Sequence, residues 1–267
     1  MIKLISAYWR GFVGGPDFTR SINHRFILED KLLSVSIPDS NVAAVPSVID
    51  VSFPHTSTSW FKQHTKIYDQ HQFVRIITEN WMYMPPIAFA PSSEYGMLTC
   101  QLRIKQTDKI NVQDKHALAE FVIQQYNDFH NGPEGKNTQI RKEITEQSTK
   151  MAVPFDPDEL EEEIAGWIEN RGKPPIPQAQ IKRFNHTDWV FYQESKSNRY
   201  THINYYCLPL SPTSFLEVKF NCRVDLNHKF KKWSLHAQES QERIMASIQL
   251  TNIEAEQDHL LHDLDTI

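Results

Sequence analysis

The sequence predicts an α+β protein made mainly of antiparallel sheet, and three observations carry that prediction. First, two segments alternate at period two. Leu98, Cys100, Leu102 and Ile104 oppose Thr99, Gln101, Arg103 and Lys105, and Leu216, Val218, Phe220, Cys222 and Val224 oppose Glu217, Lys219, Asn221 and Arg223. Such alternation marks a strand with one buried and one wet face, which belongs to antiparallel sheets; parallel strands are covered on both faces and read as continuous apolar runs. Second, segments with helix caps cluster along the chain instead of alternating with strands, which separates α+β from doubly wound folds. Third, only 8 of 267 residues are glycine, and none stands in a GxGxxG or GxxxxGK[ST] pattern, so phosphate-cradling folds have no support.

In chain order, residues 25–29 and 32–37 form a hairpin about Asp30 and Lys31, followed by strands near 47–53 and 72–79 and the ladder strand 98–105. A helix over about 112–130 turns Leu118, Phe121, Val122 and Phe129 inward and stops at Gly132-Pro133. The breaker-rich stretch NGPEGKN (131–137) separates this half from the next. The clearest helix start is FDPDELEEE: Asp156 is the N-cap, Pro157 takes the first helical position, Glu159 closes a capping box, Phe155 staples to Leu160, and Gly172 ends the run. A meander of strands over 187–193, 200–208 and 215–225 follows. A last helix over 228–247 puts Phe230, Trp233, Ala237, Ile244 and Ile248 on one side.

Each half therefore ends on a ladder strand followed by an amphipathic helix. This predicts two similar lobes, 1–132 and 150–253, each a mainly antiparallel sheet packed by one or two helices, with an acidic tail at 254–267. The competing arrangement is one continuous sheet interrupted by the Asp156 helix.

With 28 Lys+Arg against 33 Asp+Glu the net charge is −5, which disfavours nonspecific nucleic-acid binding because no basic surplus exists to displace counterions. Cys100, Cys207 and Cys222 form no CxxC pair, so neither a disulfide framework nor a zinc site is readable and a reducing compartment fits. No run reaches the ~18 apolar residues of a membrane span. Together these predict a cytoplasmic protein, or a periplasmic one had a native leader been removed, with no cofactor and no metal.

Three segments carry candidate chemistry. In PHTSTSWFKQHTKIYDQH, His55, His64, Asp69 and His71 lie near Ser57 and Ser59, from which a hydrolase or metal site could be drawn; their spacing fits no single helix or strand face, so a polar surface loop is the plainer expectation. Asp156, Asp158, Glu159, Glu161, Glu162 and Glu163 crowd a helix N-terminus. Acids there complement the helix dipole, but one or two suffice, and the i,i+4 pairs Asp158–Glu162 and Glu159–Glu163 repel by a few tenths of a kcal/mol. A cationic partner surface would account for the surplus, and Asp158, Glu159, Glu161, Glu162 and Glu163 become candidate partner-binding residues. WMYMPPIAFAP (81–91) has no charge and three prolines, which bar it from a central strand. It is either a buried connection or an interface, the latter presenting Trp81 and Tyr83.

The stretch YTHINYYCLPLSPTSFLEVKFNC, followed by Trp233, Ala237 and IMASIQL, resembles the strand, strand and helix ending in I-x-x-S-I of bacterial immunity proteins that neutralise lipase effectors of type VI secretion. LLSVSIPDS (32–40) is similar to their strand-then-proline opening. The resemblance covers about a third of the chain. It implies a two-lobed, non-catalytic inhibitor whose partner is a toxin or effector enzyme.

Overall fold

The computed structural model describes residues 10–42, 53–68, 71–86, 94–196, 199–224 and 231–253, with the backbone alone at 66–68, 71, 195–196, 199–200 and 231. The first half holds β1 (Val13–Gly14), β2 (Ser21–Leu28), β3 (Lys31–Pro38), α1 (Thr58–His64), β4 (Lys66–Tyr68), β5 (His71–Met84), β6 (Gly96–Gln106) and α2 (Lys115–Asn131). The second holds α3 (Lys136–Thr149), α4 (Pro157–Arg171), β7 (Gln180–Phe184), β8 (Thr187–Lys196), β9 (Arg199–Pro209), β10 (Ser214–Val224), α5 (Lys231–Ser247) and β11 (Gln249–Asn252).

The fold is α+β with antiparallel pairing throughout. The main sheet has the order β1-β5-β6-β10-β9-β8-β7, with β4 paired to β5, and a small sheet has the order β11-β3-β2. The two ladder strands recognised in the sequence are direct neighbours: β6 and β10 pair from Ser214↔Gln106 to Val224↔Gly96. Strands from residues 1–132 and from 150–253 therefore lie in a single main sheet. The small sheet joins the two halves as well, since β11 pairs with β3.

One face of the main sheet carries the larger core. Leu98, Cys100, Leu102 and Ile104 of β6 and Leu216, Val218, Phe220 and Cys222 of β10 pack with Phe26, Leu28, Leu33, Val35 and Ile37 of the small sheet and with Trp233, Ala237, Ile244 and Met245 of α5. Ser247, at the end of α5, donates through Oγ to the Ser36 carbonyl at 3.0 Å and accepts from the Ser36 N–H, which fixes the helix end on β3. On the opposite face Val190, Tyr192, Tyr205, Cys207 and Phe215 meet Leu118, Val122 and Tyr126 of α2. A third, separate cluster of Ile140, Ile144 and Ile164 joins α3 to α4.

Several expectations are refined. The segment 131–149 is not all connection: residues 136–149 form α3, with Ile140, Ile144 and Ser148 turned inward at four-residue spacing. Residues 81–84 are the end of β5, and the prolines at 85 and 86 terminate that strand instead of excluding it. In α2 the inward row is Leu118, Val122, Tyr126 and His130. Phe121 and Phe129 flank it half-buried, because only one side chain in four along this helix points at the sheet. The strand expected at 47–53 falls outside the described residues up to Phe53, as does the tail at 254–267. At Gly14 of β1 two backbones approach closely: Gly14 has φ +82°, and a Cβ there would stand 2.2 Å from the Met82 carbonyl oxygen.

The central β6–β10 pair supports both large cores, so Leu102→Ala, at a fully buried position, should lower unfolding free energy by about 2–5 kcal/mol. Ile181→Ala, at a site 45% exposed, should stay within about 0.5 kcal/mol. Urea denaturation of both variants checks the contrast.

Candidate functional site

The polar residues of the two ladder strands are expected to face water. The structure instead buries the middle of both rows, where α2 lines a cavity over a charge cluster. Arg103, Lys105 and Glu217 are 5%, 7% and 0% exposed. The register explains the arrangement, for Glu217 of β10 is directly opposite Arg103 of β6 and Lys105 is one pair along on the same face. Arg103 Nη1 donates to Glu217 Oε1 at 3.3 Å, and Lys105 Nζ donates to Oε2 at 3.1 Å. The Tyr192 hydroxyl donates to the same Oε2 at 3.3 Å. Burial opposes ionisation of Glu217, but Lys105 and Arg103 outweigh it and hold the carboxyl below the usual carboxylate range.

A second carboxylate stands two positions beyond Tyr192 on β8. Glu194 accepts from Lys173 Nζ at 2.9 Å and from the Tyr205 hydroxyl at 2.7 Å, and Tyr192 and Tyr205 stack with ring centroids 4.5 Å apart. Lys219, on the same face of β10, has its pKa pushed down to about 8, first by burial and then by the Arg103 charge, against the pull of Glu217 and Glu194. Between these groups and α2 lies a cavity of about 150 Å³, lined also by Tyr126, His130 and Asn221. The Asn221 Oδ1 accepts no hydrogen bond among the described residues.

Lys173 reaches this cluster because the α3–α4 hairpin is clamped at its base. The buried Asn137 side chain donates to the Lys173 carbonyl at 2.7 Å and accepts from the Lys173 N–H at 2.8 Å. A Cβ on Gly172 would stand 2.7 Å from Asn137 Oδ1, so glycine permits the clamp. At the other end of the hairpin, the α3–α4 connection exposes Val153 at 79% and Met151 at 46%.

The acids at the start of α4 border that connection, and all of them are exposed. Asp156 accepts from the Asp158 and Glu159 N–H groups while Glu159 accepts from the Asp156 N–H, completing the expected capping box. Glu161 is ion-paired with Arg141, and Glu163 accepts from the Trp167 indole N–H at 2.7 Å. Asp158 and Glu162 take part in no ion pair among the described residues. Of the five candidate acids, three are thus engaged within the hairpin.

Trp81 and Tyr83 are corrected as partner-binding residues. Both are fully buried, Trp81 donating its indole N–H to the Asp39 carbonyl at 3.0 Å and Tyr83 sitting 3.2 Å from His236 Nδ1. At 81 and 83 the absence of charge reflects core packing, and neither ring presents a surface; residues 87–91 lie outside the described residues. The histidine segment is dispersed: His55 is buried 3.7 Å from Glu29, while His64 is exposed and stacks on Trp60 at 4.4 Å. Ser57 is the N-cap of α1. Asp69 and the His71 side chain lie outside the described residues. Among those described, no group of three or more His, Cys, Asp or Glu could hold a metal ion. The cysteines are free and buried, Cys100 and Cys222 in one core and Cys207 in the other. Among the described residues no helix is long and apolar enough to cross a membrane.

Sequence reasoning missed the covered charge cluster and the apolar residues of the α3–α4 connection. Period two names the residues that share a face but not what covers the face. The motif MAVPF, apolar residues just before an N-cap, was the available signal for the connection.

No family model matches the chain, and no curated protein matches it. Among solved structures it is similar to LpqN, involved in cell envelope biogenesis of Mycobacterium tuberculosis, over 90% of this chain and 91% of that one, at 9% identity and a TM-score of 0.27.

Folding holds the Lys219 ammonium at a cost, since the folded chain releases its proton near pH 8 and the unfolded chain near 10.5. Stability linked to this group therefore rises with pH between those values. Lys219→Met should be more stable than the native chain at pH 7, and the gap should narrow by at most about 1.4 kcal/mol per pH unit as pH passes 8. The buried thiols titrate alike in both chains and cancel in the difference, which paired thermal melts measure. Glu217→Gln, which leaves Arg103 and Lys105 without their carboxylate, should cost about 3–5 kcal/mol, read by denaturant unfolding.

Proposed function

We propose that this chain is a non-enzymatic binding protein of the immunity type, which occludes a partner enzyme by docking the tip of its α3–α4 hairpin on a basic surface. The observation that carries the reading is the exposure of Val153 and Met151, 79% and 46%, at a tip bordered by exposed carboxylates. An apolar centre inside a charged rim is the anatomy of a protein-binding patch. Single exposed apolar residues are ordinary on a surface, but two in three positions at a projecting turn with its own small core form a compact anchor.

The acidic rim supplies the second support. Asp158 and Glu162 repel one another at i,i+4, a cost of a few tenths of a kcal/mol, and a cationic partner relieves it. Opposite charge also speeds encounter and rejects acidic surfaces. The partner-binding residues of this reading are Met151, Val153, Asp158 and Glu162, with Glu159, Glu161 and Glu163 holding the hairpin in shape.

A photo-crosslinking residue placed at position 153 should capture one dominant partner enzyme in the native host. The purified chain should then inhibit that enzyme at one-to-one stoichiometry. Val153→Asp combined with Asp158→Lys and Glu162→Lys should weaken the complex at least about tenfold, near 1.4 kcal/mol, with the melting temperature little changed. An enzyme that keeps full activity in the complex, or a complex indifferent to these substitutions, would sink the proposal.

A further inference from the structure

One end of the main sheet is β7. Its hairpin with β8 turns on Asn185 and His186, at φ +44° and +62°, the geometry of a two-residue type I′ turn. The pair that closes such a turn, here Phe184↔Thr187, exchanges both backbone hydrogen bonds. By alternation, Ile181 and Arg183 aim their N–H and C=O groups away from β8. Among the described residues no strand takes these groups up.

Open edges of folded proteins usually carry charges that keep a second strand away. The two cations of β7 are both withdrawn from that task. Arg183 turns back to Asp188, its Nε 3.5 Å from Oδ1, and the Lys182 ammonium lies over the Phe191 ring, 3.4 Å from the centroid. Between them Ile181 is left 45% exposed. Ile181 pairs with Val190, which packs on α2, so it faces the α2 side of the sheet. On that side Ala179 lines, with Ala119, Phe121 and Ile123, a groove of about 700 Å³ along the helix.

We propose that β7 pairs antiparallel with β7 of a second copy of this chain, across a two-fold axis at Ile181. Charge selects the register. An axis at Lys182 sets two ammonium groups face to face, and an axis at Arg183 does the same with two guanidinium groups; like charges directly opposite are destabilising. With the axis at Ile181 that residue meets its own copy, Lys182 meets Gln180 and Arg183 meets Ala179. No like charges are opposed, so the strand is complementary to itself in this register, as a two-fold contact requires. Pro177 ends the pairing, since it has no N–H to give.

The fit extends above the strands. Neighbouring strands lie about 4.8 Å apart, so β8 and its copy stand about 14 Å apart in the joined sheet. The α2 helices packed on them clear one another, because packed helices need only about 8–10 Å. The grooves of the two copies then face each other over the paired Ile181 side chains. This edge shares no residue with the hairpin tip, so the dimer and the partner reading fail separately.

Sedimentation equilibrium of the full chain over a range of concentrations tests the proposal. We expect a closed monomer–dimer equilibrium with Kd at or below about 100 μM. Ile181→Lys, which puts two ammonium groups on the axis, should raise that Kd at least about tenfold with the melting temperature little changed. Cysteine substitutions read the register, because the native cysteines are buried. Ile181→Cys should close a disulfide between copies under mild oxidation, as directly opposed Cα atoms lie about 5.5 Å apart. Arg183→Cys should not, its two copies being about 14 Å apart along the paired strands. A chain that stays monomeric, a dimer indifferent to Ile181→Lys, or a disulfide that forms at 183 in preference to 181 overturns the proposal.

Discussion

The pairing of β6 with β10 is the constraint on which the rest of the molecule depends. Because Leu102 lies opposite Val218 and Arg103 opposite Glu217, one register sends the apolar halves of both strands to the small sheet and α5, and the charged halves to α2. A slip of one residue would exchange the two faces of a strand, turning an arginine into the larger core and a leucine onto the polar side. The buried ion cluster thus acts as a register lock. A buried ion pair adds little net stability over apolar packing of similar volume, but a one-residue slip would set Glu217 opposite Leu102 or Ile104, with no cation across the strand.

That division also shows where sequence reading succeeds and where it stops. The alternation of 98–105 and 215–224, the hairpin at Asp30-Lys31 and the capped helix at Asp156 are local signals, and each appears in the structure with bounds close to those expected. Covering is a tertiary event. Nothing in Thr99, Gln101, Arg103 and Lys105 announces that a helix will lie over half of that row, and their polarity argues against it. The same limit applied to residues 81–84, where absence of charge fitted both an interface and a core, and only the burial of Trp81 and Tyr83 decides between them. The helix at 136–149 was obscured by its composition: with Lys, Asn, Thr, Gln, Arg and Glu on most positions, its inward row is two isoleucines and a serine.

The hairpin of α3 and α4 links the two regions of functional interest without belonging to either core of the main sheet. Asn137 closes its base against Lys173, and Lys173 in turn reaches Glu194 at the edge of the charged cavity. At the far end, the turn carries Met151 and Val153 into solvent. A rigid base with a projecting end suits a recognition element, because the side chains that meet a partner are ordered before the encounter and lose less freedom in it.

The closing strand β11 pairs with β3 although more than two hundred residues separate them along the chain, as Leu250↔Leu33 illustrates. Until residue 252 has left the ribosome, the edge of β3 that β11 will occupy is an open row of backbone donors and acceptors, and the apolar face beneath it waits for α5 as well. Synthesis from the N-terminus cannot finish either sheet early, since β10 also comes late. This topology has high contact order, which slows folding and prolongs exposure of a sticky strand edge. Both sheets are therefore completed only once the strands from the second half have been made, and until then the first half carries an open strand edge.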